Sequence, residues 1–481
     1  MRRHSPARPI LLAIAAVLAV CSVALGASGG PSRAATAAPT AASTVATGWW
    51  TVYHYSASGA GVALPVKSVN TSRPAWTSPR LDGQLYGEPL VFGPWIYVAS
   101  ENNTVYALVD HTGKVAWSRH LGSPVPASAL PCTGISPTVG ITGTPVIDSA
   151  RKEIFVVADL YVNHKPQHHL IGLSTATGKV ELNVDVDPSG SYPPALLQHT
   201  GLNLDAGQVI FGMGGNNGDC STYRGRVVAV PEKGGKPKFF TVDAARGDSQ
   251  GAIWMGGAAP VVDSKGHIWV ETGNGSVQSS GPAYDDSDAL LELSSSLKLL
   301  QYFAPTTWRQ NNANDFDMST APALLSDGQV IAAGKSRIVY LLNASHLGGI
   351  GGQQASLGGG HLLGSACNGD IDGGVAVSGT TVYLPCFEAG VIAVQATKSP
   401  PGLRLLWTAP SGSGPPIIVA GLIWTIAGGY LHGLSPRDGS IVQQVNIGQS
   451  ANDFPTPSVG DGLMLCPDTT NVVAFAVSAP K

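Results

Sequence analysis

The chain of 481 residues carries 60 glycines and 35 prolines, only 12% charged residues and a formal net charge of -3. Glycine and proline at this density exclude a helical bundle, and ordinary hydrophobic content with a small net charge excludes bulk disorder. With 31 acids against 28 bases and no basic stripe, the sequence also excludes a nucleic-acid binder.

The N-terminus reads as an export signal. Arg2, Arg3 and Arg8 form a positive start, residues 10–25 are an apolar run, and small residues at Ala24, Gly26 and Ala27 suit cleavage near Gly26. Residues 1–26 are therefore expected to be a signal peptide, and the protein is expected outside the cytoplasm, secreted or on the cell surface. Two alternatives stand beside cleavage. Leu18-Ala19-Val20-Cys21 resembles a lipobox, although Val20 is large for its position, and the apolar run is a little short for a retained anchor. Beyond it no segment is long and apolar enough to span a membrane. Residues 27–48 are Ala, Ser, Thr and Pro without pattern, the composition of a flexible tether.

From there a repeat takes over. Tyr106-Ala107-Leu108 leads through the turn Asp110-His111-Thr112-Gly113-Lys114 into Val115-Ala116-Trp117. The same strand, glycine turn and strand recur from Ile171 through Thr177-Gly178-Lys179, from Val228 through Gly234-Gly235-Lys236, and from Leu431 through Asp438-Gly439-Ser440. Weaker copies sit at Leu291, Val339, Ile392 and Val473. Each copy follows another strand pair, as Thr144-Pro145-Val146-Ile147-Asp148 precedes Glu153-Ile154-Phe155-Val156-Val157. Four short strands per unit at a spacing of roughly 40–65 residues predict a β-propeller. With eight third strands, the expected fold is all-β: an eight-bladed propeller of four-stranded antiparallel blades over residues 49–481. Val473 lacks a following strand, whereas the strand around Trp76 lacks a unit, so the N-terminal strand is expected to complete the last blade and close the ring.

The Thr-Gly-Lys-x-x-Trp pattern resembles the repeats of quinoprotein-like (PQQ-like) propellers, a family that spans pyrroloquinoline quinone (PQQ) dehydrogenases and non-enzymatic assembly-factor scaffolds. The resemblance covers about residues 75–477. In an antiparallel blade, the loop entering the first strand and the loop between the second and third strands share one face. Cys132, Cys220, Cys367, Cys386 and Cys466 all map there, as do Asn216-Asn217-Gly218-Asp219, Trp254, Asn274 and Asp315-Phe316-Asp317. Exported cysteines on one face are expected to pair as Cys132 with Cys220 and Cys367 with Cys386, leaving Cys466 free.

The resemblance implies roles for individual residues. Trp254 looks like the tryptophan that stacks beneath the quinone, and Lys335 like the basic residue that polarises its oxygens. Asn274, in Thr272-Gly273-Asn274, matches a calcium-binding asparagine. Asp315 and Asp317 match a pair in which one carboxylate is the general base and another, Asp317, reaches the metal. On that reading PQQ and calcium are cofactors of a dehydrogenase oxidising alcohol or sugar hydroxyls. The departures are substantial. Cys220 stands where the family's enzymes place a calcium-binding glutamate, with Asp219 one position off. No two cysteines are adjacent, and no Cys-x-x-Cys-His haem site exists to pass electrons on. The preferred expectation is therefore a monomeric, cofactor-free binding or scaffold propeller whose partner is an envelope or extracellular protein or a small polar ligand.

Three further segments read as structural. Asn368-Gly369-Asp370-Ile371-Asp372-Gly373 imitates a calcium loop but lacks its first aspartate and its closing glutamate, which leaves a polar inter-blade turn. Asp285-Asp286-Ser287-Asp288 reads as an acidic turn. His168 and His169 are adjacent on a strand and so point to opposite faces, which opposes a shared metal with His164.

Overall fold

The computed structural model describes residues 48–242, 248–279, 283–359, 366–451 and 454–478. The expected signal peptide, and the expected tether apart from Gly48, lie outside the described residues. Eight sheets follow one another along the chain, each built on antiparallel pairs, with a short fifth strand, Gly349–Ile350, added in parallel to the outer edge of the fourth. The first is Leu90–Phe92, Trp95–Ala99, Thr104–Val109 and Val115–His120, paired in that order. All eight expected third strands occupy third place in their sheets.

Burial explains the composition. Third strands such as Thr104–Val109 and Ala289–Leu293 are almost wholly buried, because neighbouring blades cover both of their faces. They consequently read as continuous apolar runs rather than alternating ones. Fourth strands such as Val115–His120 and Val180–Asp185 are mostly exposed and carry much of the polar sequence.

One contact recurs between blades. The indole of Trp117, on the fourth strand of blade 1, lies on Gly178 in the turn of blade 2, and its Nε1 donates to the Thr175 carbonyl at 3.0 Å. Trp407 of blade 6 does the same to Gly439 of blade 7, with Nε1 2.9 Å from the Pro436 carbonyl. These glycines have φ of +65° and +72°, and a Cβ on either would sit 2.6 Å from the ring. Only glycine satisfies both demands. Blade 3 keeps the glycine, Gly234, but meets it with Leu182.

The third copy closes the ring. Trp76–Thr77 and Ser68–Val69 both pair antiparallel with Asn471–Ser478, supplying the outer edge of blade 8. From there Trp76 packs on Gly113 of blade 1 and donates to the Asp110 carbonyl at 2.6 Å. The seam between first and last blades is thus built from the same parts as an ordinary blade boundary.

Residues 50–61 do something the sequence pattern does not announce. Their backbone bonds to the first strand of blade after blade: Trp50 to Val91 in both directions (2.9 and 2.8 Å), Thr51 to Ile147 (2.8 Å), Ala57 to Val262 (2.8 Å), Ala60 to Val377 (2.9 Å) and Gly61 to Ile418 (2.7 Å). First strands line the axis, so this segment spans the ring's centre as a plug. Trp50, Tyr53 and His54 are buried in it, and the Tyr53 and His54 rings stack 4.2 Å apart.

Two disulfides are present, Cys132–Cys220 and Cys367–Cys386, and Cys466 is free and buried. Among the described residues no helix is long and apolar enough to cross a membrane.

Two outcomes check this architecture. Gly113→Ala forces a Cβ to within 2.4 Å of Trp76 at a φ of +66°, and is expected to cost about 2–4 kcal/mol in urea unfolding. Trp76→Ala should cost about 3 kcal/mol; unchanged midpoints in both variants would remove the seam contact from the account. Deleting residues 49–80 takes away plug and seam together and is expected to give aggregation, whereas deleting 27–47 should leave the melting temperature unmoved. A monomeric, equally stable 49–80 deletion contradicts ring closure.

Candidate functional site

The loops on one face enclose a cavity of about 730 Å³, and Trp254, Asn274, Asp315, Asp317 and Lys335 all line it. Each arrives by a local device. Strand Ile268–Thr272 runs into Gly273, where a Cβ would lie 2.4 Å from Asp317 Oδ1. That glycine lets Asn274 reach the carboxylate pair: its backbone N–H donates to Asp317 Oδ1 and its Nδ2 to Asp315 Oδ1, both at 2.7 Å. Asp315 ends the short helix Trp308–Asn314 in a left-handed conformation, φ +57°, a geometry aspartate tolerates. The turn there brings Asp315 and Asp317 to the cavity.

Lys335 follows strand Gln329–Ala333 and places its Nζ 2.5 Å from Asp317 Oδ2 and 3.4 Å from Asp315 Oδ2. Burial by itself would lower its pKa, but Asp317, Asp372 and Asp315 outweigh burial and hold the ammonium charged. Asp315 is raised, first by burial and then by Asp317. Trp254 is presented by a tight turn in which Met255, Gly256 and Gly257 all have positive φ. At Gly256 a Cβ would stand 2.4 Å from Gly373 Cα, so the loops of blades 4 and 6 touch backbone to backbone.

Several lining residues went unrecognised in the sequence. Asp370 and Asp372 belong to the segment read as a polar inter-blade turn; both line the cavity instead. A signal was available: Asp370-Ile371-Asp372 repeats the Asp-x-Asp of Asp315-Phe316-Asp317 at the entrance of the next blade. Asp370 accepts from Arg337 Nε at 3.2 Å. Burial pushes Asp372 up to about 8, Lys335 opposing and Asp317 assisting. Asp219, which the sequence places on this face, lines the cavity as well, accepting from the Tyr223 hydroxyl at 2.6 Å, and burial raises its pKa. His199, Phe387 and Phe454 complete the wall; burial lowers the His199 imidazole to about 4, leaving it neutral. Cys220 is bonded to Cys132, tying the loop that carries Asn217 and Asp219 to the entrance of blade 2.

The other candidates stay apart from this cavity. His168 is buried between Asp187 and Asp159, its Nδ1 2.7 Å and Nε2 3.5 Å from their carboxylates, while His169 Nδ1 meets Asn183. Asp285 holds its own turn through Ser287, with Oγ donating to Oδ1 at 2.5 Å, and is buried with Asp288. Among the described residues, Asp263, His267 and Glu292 come within metal-ligand reach of one another. They are held by an ordinary His267–Glu292 contact at 2.6 Å.

Comparison with known proteins supports the fold. The PQQ_2 family model, described as outer membrane protein assembly factor BamB, matches residues 65–280. No curated protein matches the sequence. Among solved structures the chain is similar to quinohemoprotein alcohol dehydrogenase ADHIIG from Pseudomonas putida HK5, at 13% identity and TM-score 0.67, over 91% of this chain and 81% of that one. Quinohemoprotein alcohol dehydrogenase from Comamonas testosteroni aligns at 14% identity and TM-score 0.65, over 92% and 82%. BamB from Moraxella catarrhalis aligns at 14% and 0.54, over 85% of this chain and all of that one. Identities this low carry the architecture and nothing finer. With its glycine-turn repeat and its eight blades the chain has the architecture of the PQQ-like β-propellers, and residues 65–280 match that family's model.

Proposed function

We propose that the chain is an extracytoplasmic binding propeller that takes a small polar ligand in its central cavity and carries out no quinone chemistry. The observation that carries this reading is the charge of the wall: among the described residues, five carboxylates line the cavity (Asp219, Asp315, Asp317, Asp370 and Asp372) against one ammonium, Lys335, and no arginine.

Pyrroloquinoline quinone is a polycarboxylate, and a wall of this sign repels it. Bound calcium could invert the local charge, but of the two groups that the resemblance assigns to it Asp317 is already paired with Lys335, which leaves the Asn274 Oδ1 as the one oxygen without a donor. Asp317 is committed to Lys335 and to the Asn274 backbone, Asp315 to Asn274 Nδ2, and Asp219 to Tyr223. A disulfide sulfur, Cys220, occupies the expected glutamate position and cannot serve as the anionic oxygen that calcium requires. The residues therefore do not fit the cofactor. A cavity of this size suits one small molecule, with Trp254 as an apolar surface and the carboxylates as orienting groups.

The test is reconstitution of the purified protein with PQQ and calcium. No bound-quinone absorbance and no dye reduction with simple alcohols is expected. Robust dye reduction, abolished by both Asp315→Ala and Trp254→Ala, would overturn the reading in favour of a quinone-dependent dehydrogenase.

A further inference from the structure

Two walls of the cavity differ in kind. On one side four rings form a continuous arc: Trp254 lies 5.4 Å from His199, His199 5.9 Å from Phe454, and Phe454 5.9 Å from Phe387, centroid to centroid. The carboxylates supply the rest, around Lys335. Aromatic faces attract a cation through their quadrupole, most strongly when the cation is desolvated, and tryptophan does so best. His199 is neutral and brings no competing charge. Asn274 adds an independent sign. It is more than nine-tenths buried in this wall, and its Oδ1 accepts no hydrogen bond. Asp372 Oδ1 is likewise buried without a donor. Buried acceptors that lack donors are rare in a finished structure and mark places for a ligand's hydroxyl or N–H donor, beside whatever charge it carries.

We propose that the ligand of this cavity is a small organic ammonium, its cationic head held between the arc of Trp254, His199, Phe454 and Phe387 and the carboxylates Asp315, Asp370 and Asp372. The inference rests on the cavity being a ligand site, and adds the chemical class of the ligand. Lys335 does not oppose it, because Asp317 and Asp315 already neutralise that ammonium at 2.5 and 3.4 Å. An alkylated ammonium suits the arc better than a bare metal ion, which has no use for ring faces.

Protonation of the wall gives a second readout. Asp372 faces Lys335, Asp317, Asp370, Glu271 and Tyr53, and burial lifts it to about 8. A cation favours the ionised carboxylate, so binding releases a proton below that pH. Affinity for a ligand that does not itself titrate should rise as pH climbs through about 8 and fall beneath it.

Choline is the probe, with its neutral isostere 3,3-dimethylbutan-1-ol as control, followed by calorimetry and by quenching of tryptophan fluorescence on the full exported chain. Choline is expected to bind about tenfold or more tightly than the isostere, to weaken with added salt, and to gain affinity between about pH 6.5 and 9. Asp372→Asn should flatten the pH profile, and Phe454→Leu should lower choline affinity while leaving the thermal melt in place. If choline and the isostere bind equally, or neither binds while a neutral polyol quenches Trp254, the ammonium assignment is wrong although the cavity remains a ligand site. If PQQ with calcium binds and choline does not, the quinone-free reading fails along with it.

Discussion

The structure depends on an indole resting on a glycine that has no room for anything else. A blade is an antiparallel sheet with apolar side chains on both faces, so it is stable only when another blade covers each face. Trp117 on Gly178, Trp407 on Gly439 and Trp76 on Gly113 fix the distance and angle at which that covering happens. The indole N–H donates to a turn carbonyl in each case, so a polar group ends its desolvation satisfied. Repetition of a fixed angle between neighbours is what makes a ring, and the third copy works across the seam as the others work inside the chain. Closure leaves no bare sheet edge between the first and last blades.

Once the ring is set, chemistry can gather only where loops converge on the axis. On the inner strands a polar group lies between two sheets and has to be paired internally, as His168 is with Asp159 and Asp187. Loop ends on one face have no such restriction, and their backbones approach closely at Gly256 against Gly373 and at Gly334, where a Cβ would stand 2.0 Å from the Asp317 carbonyl. The plug of residues 50–61 meets the axis through other contacts, with Tyr53 and His54 against Gly374, next to the cavity segment that carries Asp372. A channel through the ring thereby becomes a pocket with a floor. Burial at that floor is also what lifts Asp372.

The parts legible in sequence were those with a local, repeated cause. A glycine turn between the third and fourth strands, present in four copies, together with the apolar third strands of the other four, is a pattern that needs no knowledge of distant residues, and it located every third strand and left the strand at Trp76 as an orphan. The five matched site residues were legible because each stands in a short motif beside a regular element: Asn274 and Lys335 just past strands, Asp315 and Asp317 just past a helix, and Trp254 in a turn. Residues 50–61 were not, since their role rests on backbone hydrogen bonds to the first strands of five blades and leaves no periodicity in the side chains. His199, Phe387 and Phe454 are lone rings in loops, and only folding makes them an arc. Asp370 and Asp372 were visible but weighed against a calcium-loop template, when the informative comparison was with Asp315 and Asp317 one blade earlier.

Five carboxylates beside one ammonium are an electrostatic debt unless something offsets it, since like charges in a partly desolvated wall repel strongly. The structure offers three partial remedies. Lys335 neutralises Asp317 most directly, Arg337 reaches Asp370 from behind, and a proton on Asp372 removes one charge below about pH 8. Each has a limit: the lysine is fully engaged, the arginine does not line the cavity, and the proton leaves as the pH rises. A group whose pKa is raised on folding adds stability while it stays protonated and loses that contribution as pH climbs through its folded value. The wall's mutual repulsion is therefore strongest in the alkaline range, where a bound cation would relieve it most. Stability and ligand affinity are linked through the same few oxygens, and whatever binds there also stabilises the ring around it.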